Sequence, residues 1–179
     1  MSNIKLIFKY LLISILFLSC TNKREDIKKN VMKWTGRVII LPKDVSMKLG
    51  MKDTTCAEMF AKKFKMVIYI DSLGCTACKL KIYEWREIIS KITKNHKNIS
   101  FLFYVNSSDY KDFQYKLVSN SFNYPVIFDY DDKLNSINHL SKNIDYQTFL
   151  LDENNKIILV GNPIRRPKLL DLYLQQISK

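Results

Sequence analysis

Two cysteines in this 179-residue chain are spaced to do chemistry together: Cys75 and Cys78, in the run Cys75-Thr76-Ala77-Cys78. They follow an apolar run, Met66-Val67-Ile68-Tyr69-Ile70, and precede a long amphipathic segment. Thiols at C-x-x-C spacing, where a strand passes into a helix, can form a reversible disulfide. A sulfur beside the free N–H groups of a helix start is stabilised as a thiolate by those groups and by the helix dipole. A second sulfur in the first turn can attack a mixed disulfide made by the first. The pair therefore points to thiol–disulfide exchange. A structural disulfide closing the helix start is the plainer alternative, and half of a metal site is another.

The other candidate ligands do not build a metal site. A zinc site needs four ligands. Cys56, Cys75 and Cys78 would need a histidine, and only His96 and His139 exist, neither at ligand spacing. Copper relay through the pair would want a nearby His or Met, for which Met66 is the upstream candidate. Asp129, Asp131 and Asp132 suggest a calcium loop only in outline, because the later glycine and glutamate are missing. They read as a solvated turn. Cys56 reads as a small core residue, with a third exchanging thiol as the alternative. Trp34 and Trp85 read as packing. No Ser–His–Asp set or phosphate loop is visible, and no cofactor is implied.

The N-terminus addresses the compartment. Residues 1–19 carry Lys5, Lys9 and no acid, then the apolar run Tyr10 to Leu18, then Ser19-Cys20. A basic start and a short apolar core describe a secretory signal, too short for an ordinary membrane span. The ending Phe17-Leu18-Ser19-Cys20 resembles the lipobox of bacterial lipoproteins, with Phe17 where leucine is usual. The resemblance implies cleavage before Cys20 and acylation of Cys20, a membrane anchor without a spanning helix. Loss of Lys5 and Lys9 would take the formal charge from +12 to +10. The lysines are scattered rather than gathered with aromatics, so the excess reads as a solvated basic face, not a nucleic-acid site. With Cys20 lipidated, three cysteines remain, one couple and one spare.

The elements that would hold the pair follow from periodicity. Residues 20–35 are polar without a clear period and read as a tether. Gly36–Pro42 reads as a short strand, and Asp53–Phe60 contains a helix cap from which a short helix runs to about Lys63. Lys65–Ile70 and Ile99–Val105 are nearly all apolar, the pattern of strands buried on both faces. Between them Ala77–Thr93 has Ile82, Trp85, Ile89 and Ile92 at spacings of three and four, a helix and hence a βαβ crossover. A helix over Ser108–Asn120, with Phe113, Leu117 and Val118 inward, leads to a strand at Tyr124–Phe128 and a short helix at Lys133–Ser141. Thr148–Leu151 and Lys156–Val160 flank the turn Asp152-Glu153-Asn154-Asn155 as an antiparallel hairpin. Pro167 opens the last helix, 168–177, with Leu169, Leu170, Tyr173 and Leu174 inward.

Parallel strands, a closing hairpin and a last helix, with C-x-x-C heading the first main helix, resemble the thioredoxin fold over residues 36–179. The implied architecture is α/β, a central mixed sheet flanked by helices with an extra N-terminal strand. The stretches Tyr69 to Leu80, Gln147 to Asp152, Asn155-Lys156 and Gly161-Asn162-Pro163 are similar to small thioredoxin-like lipoproteins of the bacterial envelope. That resemblance implies a nucleophilic Cys75, a resolving Cys78, exported thiol or disulfide proteins as substrates, and a separate redox partner. Three positions depart from the pattern. Gly74-Cys75-Thr76-Ala77-Cys78 replaces Trp-Cys-Gly-Pro-Cys. Tyr69 stands where the family has a buried acid, with Asp71 nearby as a loop cap or substitute. Tyr146-Gln147-Thr148 lacks the proline that the family packs against its disulfide. A partner-binding module with a structural disulfide, and a peroxide reductase lacking Pro-x-x-x-Thr-x-x-Cys, are the competing readings.

Overall fold

A computed structural model describes residues 24–73 and 80–179. It divides into a unit ending at Trp34, helical over residues 24–34, and a unit from Thr35 to Lys179. The segment expected as an aperiodic tether is thus helical from residue 24. Among the described residues no helix is long and apolar enough to cross a membrane.

The larger unit is built on a seven-stranded sheet. Its strands are β1 (Ser46–Leu49), β2 (Lys52–Asp53), β3 (Phe64–Ile70), β4 (Ile99–Val105), β5 (Val126–Phe128), β6 (Thr148–Leu151) and β7 (Ile157–Val160). They lie in the order β2-β1-β5-β4-β3-β6-β7. β3, β4 and β5 run parallel, and β1, β6 and β7 are antiparallel to their neighbours. β3 and β4 pair over their whole length, from Phe64 against Ile99 to Ile70 against Val105. Every residue of both strands is buried, as continuous apolar runs at the centre of a covered sheet require.

Side chains alternate between faces. Met66, Ile68 and Ile70 of β3 join a core with Phe101, Phe103, Trp85, Ile88, Ile92, Phe113, Leu170 and Tyr173. That face is covered by α2 (Ile82–Thr93), α3 (Tyr110–Ser119) and α5 (Pro167–Ile177). Val67 and Tyr69 face the other side. There the Tyr69 hydroxyl reaches Asp132, beside α4 (Lys133–Asn138), and the Tyr104 hydroxyl donates to the Pro42 carbonyl at 2.7 Å. The first short helix, α1 (Ala57–Phe60), precedes β3.

Four sequence expectations change. The strand expected over Gly36–Pro42 is only a bridge between Val38 and Lys156, and the added N-terminal strands are β1 and β2. Asn138 explains the break: its Oδ1 accepts from Ile40 N and its Nδ2 donates to Ile40 O, both at 2.9 Å. That amide satisfies the peptide groups a longer strand would have offered to β7. Val118, expected inward, is exposed, whereas Phe113 and Leu117 are buried. On α2, Ile88 rather than Ile89 completes the buried stripe.

The last change bears on chemistry. The helix expected without interruption from Ala77 is broken at Lys81, whose φ of 49° is left-handed. Leu80 and Ile82 are both buried. Residues two apart on a helix point about 200° apart, so sending both into one core takes a break between them.

Candidate functional site

Cys75 and Cys78 lie outside the described residues, as does Cys20. The residues on either side of that stretch are described. Asp71 follows the last residue of β3, beside the end of parallel β4, and Leu80 is fully buried in the core ahead of α2. The C-terminal ends of parallel strands are where open α/β sheets bind and react.

Asp71 organises the upstream flank. Its Oδ1 accepts from Leu73 N at 3.0 Å, closing a side-chain turn of the kind aspartate favours. The loop-cap role expected for Asp71 is therefore present. Its Oδ2 accepts from Gln147 Nε2 at 3.3 Å.

Gln147 occupies the place where the resemblance expects a proline, immediately before β6, and is 2% exposed. Its carbonyl accepts from Tyr69 N at 2.9 Å, and its own N–H donates to Ile144 O. The side-chain Nε2 also donates to Ser141 O at 2.9 Å. Both partners of Nε2 are acceptors only, which fixes which end of the amide is nitrogen. Oε1 is buried with no partner. An unpaired buried acceptor costs about 1–3 kcal/mol. The sequence marked Gln147 only as a missing proline; a polar residue directly before the β6 apolar run was the available clue.

Tyr69, at the position of the expected acid, donates to Asp132 Oδ1 at 2.6 Å. Burial first, then the bond to Asp132, push its phenol well above the usual tyrosine range, and Asp71 and Asp129 add to the effect. Tyr69 is therefore a proton-holding hydrogen-bond donor, not a base. Asp132 Oδ2 accepts from Asn135 Nδ2 at 2.8 Å.

Asp129 overturns the solvated-turn expectation for its cluster. It is 1% exposed, and its two carboxylate oxygens accept from Lys133 N and Leu134 N at 2.8 and 2.9 Å. Both oxygens are spent on the start of α4. Asp131 stays exposed.

Two ion pairs tie the last segment to this end of the molecule. Arg165 reaches Glu84 in the first turn of α2 at 3.0 Å. Arg166 reaches Asp145 at 2.5 Å, in the 3-10 turn Ile144–Tyr146 that carries Gln147.

Cys56 is elsewhere and is not a core residue. It is half-buried and free, and it lines a 310 Å³ cleft with Lys43, Val45, Met47, Thr54 and Phe60. Its carbonyl accepts from Met59 N, and Met59 O accepts from Ser100, one residue into β4. Asp71 follows the opposite end of the sheet, about 20 Å away by strand rise. Trp85 is fully buried, against Phe101 and Phe103 edge-on, as expected of packing. His96 is half-buried and His139 exposed, at separate places in the chain.

No family model matches the chain, and no curated protein matches it in sequence. Solved structures match it in fold. A putative thiol:disulfide interchange protein DsbE from Chlorobium tepidum aligns at TM-score 0.55 and 17% identity, covering 80% of this chain and 95% of its own. A mutant of PrxQ from Xylella fastidiosa aligns at 0.54 and 14%, covering 80% and 94%. The thioredoxin domain of a thiol-disulfide oxidoreductase from Bacteroides vulgatus aligns at 0.52 and 13%, covering 77% and 99%. At such identities the likeness is one of fold, and the fold is thioredoxin-like, a central mixed sheet flanked by helices.

Proposed function

We propose that the chain is a thiol–disulfide oxidoreductase of the bacterial cell envelope, anchored through lipid on Cys20, with Cys75 as nucleophile and Cys78 as resolving thiol. The observation that carries the reading is positional. In the sequence C-x-x-C lies between Asp71, which follows the C-terminal end of the inner strand β3 of a thioredoxin-like sheet, and Leu80, ahead of α2, which supports the reading. In the reducing direction the Cys75 thiolate attacks a substrate disulfide, forming a mixed disulfide and releasing one substrate thiolate, which takes a proton. The Cys78 thiolate then attacks the Cys75 sulfur, releasing the second substrate thiolate. Two electrons pass to the substrate and the pair ends as a disulfide, which a dithiol partner must reduce. The oxidising direction runs the same steps backwards. Substrates are exported proteins with thiols or disulfides.

A second reading is a partner-binding module in which the disulfide is structural. The lack of a proline immediately before β6 and the presence of Tyr69 at the place of the expected acid favour it. Cys78→Ser separates the two. Exchange requires this variant to accumulate mixed disulfides through Cys75 in envelope extracts, detected as thiol-sensitive adducts. No adduct, together with a wild-type disulfide inert to dithiol buffers, would leave the module reading. Acyl labelling tests the anchor: Cys20→Ala should abolish it, and unchanged labelling refutes it.

A further inference from the structure

Between β1 and α1 the larger unit keeps a 310 Å³ cleft, with Val45 and Met47 on the β1 side and Ala57 and Phe60 on the α1 side. Each side is fixed to the sheet separately. β1 pairs with β5 from Ser46 against Phe128 to Lys48 against Val126. α1 is tied to β4 by the buried Ser100, whose hydroxyl donates to Met59 O at 2.5 Å. Thr54 N donates to Met47 O at 2.9 Å and holds the connection between the two sides. The cleft cannot close without breaking these bonds, so Val45 and Phe60 stay only half-buried. Apolar walls offer water few partners, and an apolar ligand gains by displacing it. The volume is at the small end of ligand sites, which run from about 300 to 1,000 Å³, and suits one short alkyl chain rather than a peptide segment.

Charge narrows the ligand further. Lys43 is the one charged side chain among the described residues that line the cleft, and it is exposed, which places it at the rim. No carboxylate pairs with it among the described residues. Asp44 and Glu58, its acidic neighbours, are exposed and do not line the cleft. An apolar slot with a single unpaired cation at its rim favours an apolar tail that ends in a negative charge. The geometry points to a binding site for a free single-chain carboxylate amphiphile, its alkyl chain between Met47 and Phe60 and its carboxylate on Lys43. Cys56 also lines the cleft and is a free thiol, so a bound chain covers it and its alkylation reports occupancy. The site stands whether or not the C-x-x-C pair exchanges.

The test is peptide-resolved iodoacetamide alkylation of Cys56 in the reduced full chain, held in phosphatidylcholine nanodiscs so that no detergent competes. Decanoate and decyltrimethylammonium are the probes, both below micelle formation. Decanoate should slow alkylation saturably, and decyltrimethylammonium should need a higher concentration. Lys43→Glu should weaken decanoate about three- to tenfold and strengthen the cation. Ala57→Phe fills the cleft and should abolish saturable protection by either probe with Tm unchanged; if that variant unfolds, the Lys43→Glu reversal decides alone. No protection by decanoate, or protection that Lys43→Glu leaves unaltered, overturns the inference. Two other occupants would overturn it as well. A bilayer is the occupant if alkylation slows, without any probe, as anionic lipid replaces phosphatidylcholine. A second copy is the occupant if it slows with rising protein concentration.

Discussion

At the scale of single residues, the end of the sheet is governed by carboxylates that have already found donors. Asp129 shows how far neighbouring acids can diverge. It and Asp131 lie two apart in one polar run, yet Asp129 is buried on two backbone N–H groups and Asp131 faces water. Asp129→Ala leaves two helix-start donors unpaired in the interior, and should cost about 1–3 kcal/mol in urea unfolding. Asp131→Ala should stay within about 0.5 kcal/mol. Equal effects would show that the buried cap contributes nothing special. Composition could not separate the two, because the chain returning to bury Asp129 is a tertiary event. The same limit hid Gln147 and left Cys56 assigned to the core, whereas Asp71 was legible as a cap because its partner is only two residues away.

At the scale of elements, legibility follows how much of the signal is local. β4 and β6 have the bounds their apolar runs imply, and β3 begins one residue earlier. The stretch 36–42 carries a strand composition and a strand alternation, with Ile39 and Leu41 buried and Val38 and Ile40 exposed, yet only one bridge forms. Its failure lies in Asn138, about a hundred residues away in sequence. α2 starts later than expected for a related reason: Leu80 and Ile82 both enter the core, and the left-handed Lys81 between them breaks the helix. The remainder of α2 hangs on Trp85, which is wholly buried with its indole N–H unpartnered. Two substitutions separate volume from polarity there. Trp85→Ala opens a cavity and should cost about 3–5 kcal/mol. Trp85→Phe leaves a smaller gap and removes an unpaired donor, so it should cost much less. Equal losses in denaturant midpoint would mean the indole N–H is satisfied in solution.

At the scale of the whole molecule, burial of phenols and of one amine sets how stability responds to alkali. Tyr69, Tyr104 and Tyr173 are buried, and burial holds all three phenols above the usual range near 10. Lys65 is buried too, and burial lowers its ammonium below 10.5, with its Nζ donating to Lys62 O and Glu153 O. The two effects have opposite signs. Between the lowered value for Lys65 and 10.5 the unfolded chain holds a proton the folded chain has released, so stability rises with pH. Above about pH 10 the unfolded chain loses phenolic protons that the folded chain keeps, so stability falls. Each phenol contributes up to about 1.4 kcal/mol per pH unit, and three phenols outweigh one amine. Urea midpoints should therefore change little approaching pH 10 and then drop steeply to pH 11. Tyr104→Phe and Tyr173→Phe, each at the cost of one hydroxyl bond, should flatten the drop, and Lys65→Met should remove any rise before it. A midpoint that holds level from pH 10 to 11 would mean the phenols reach water in the folded chain, and that the two faces of the sheet are less tightly covered than their packing implies.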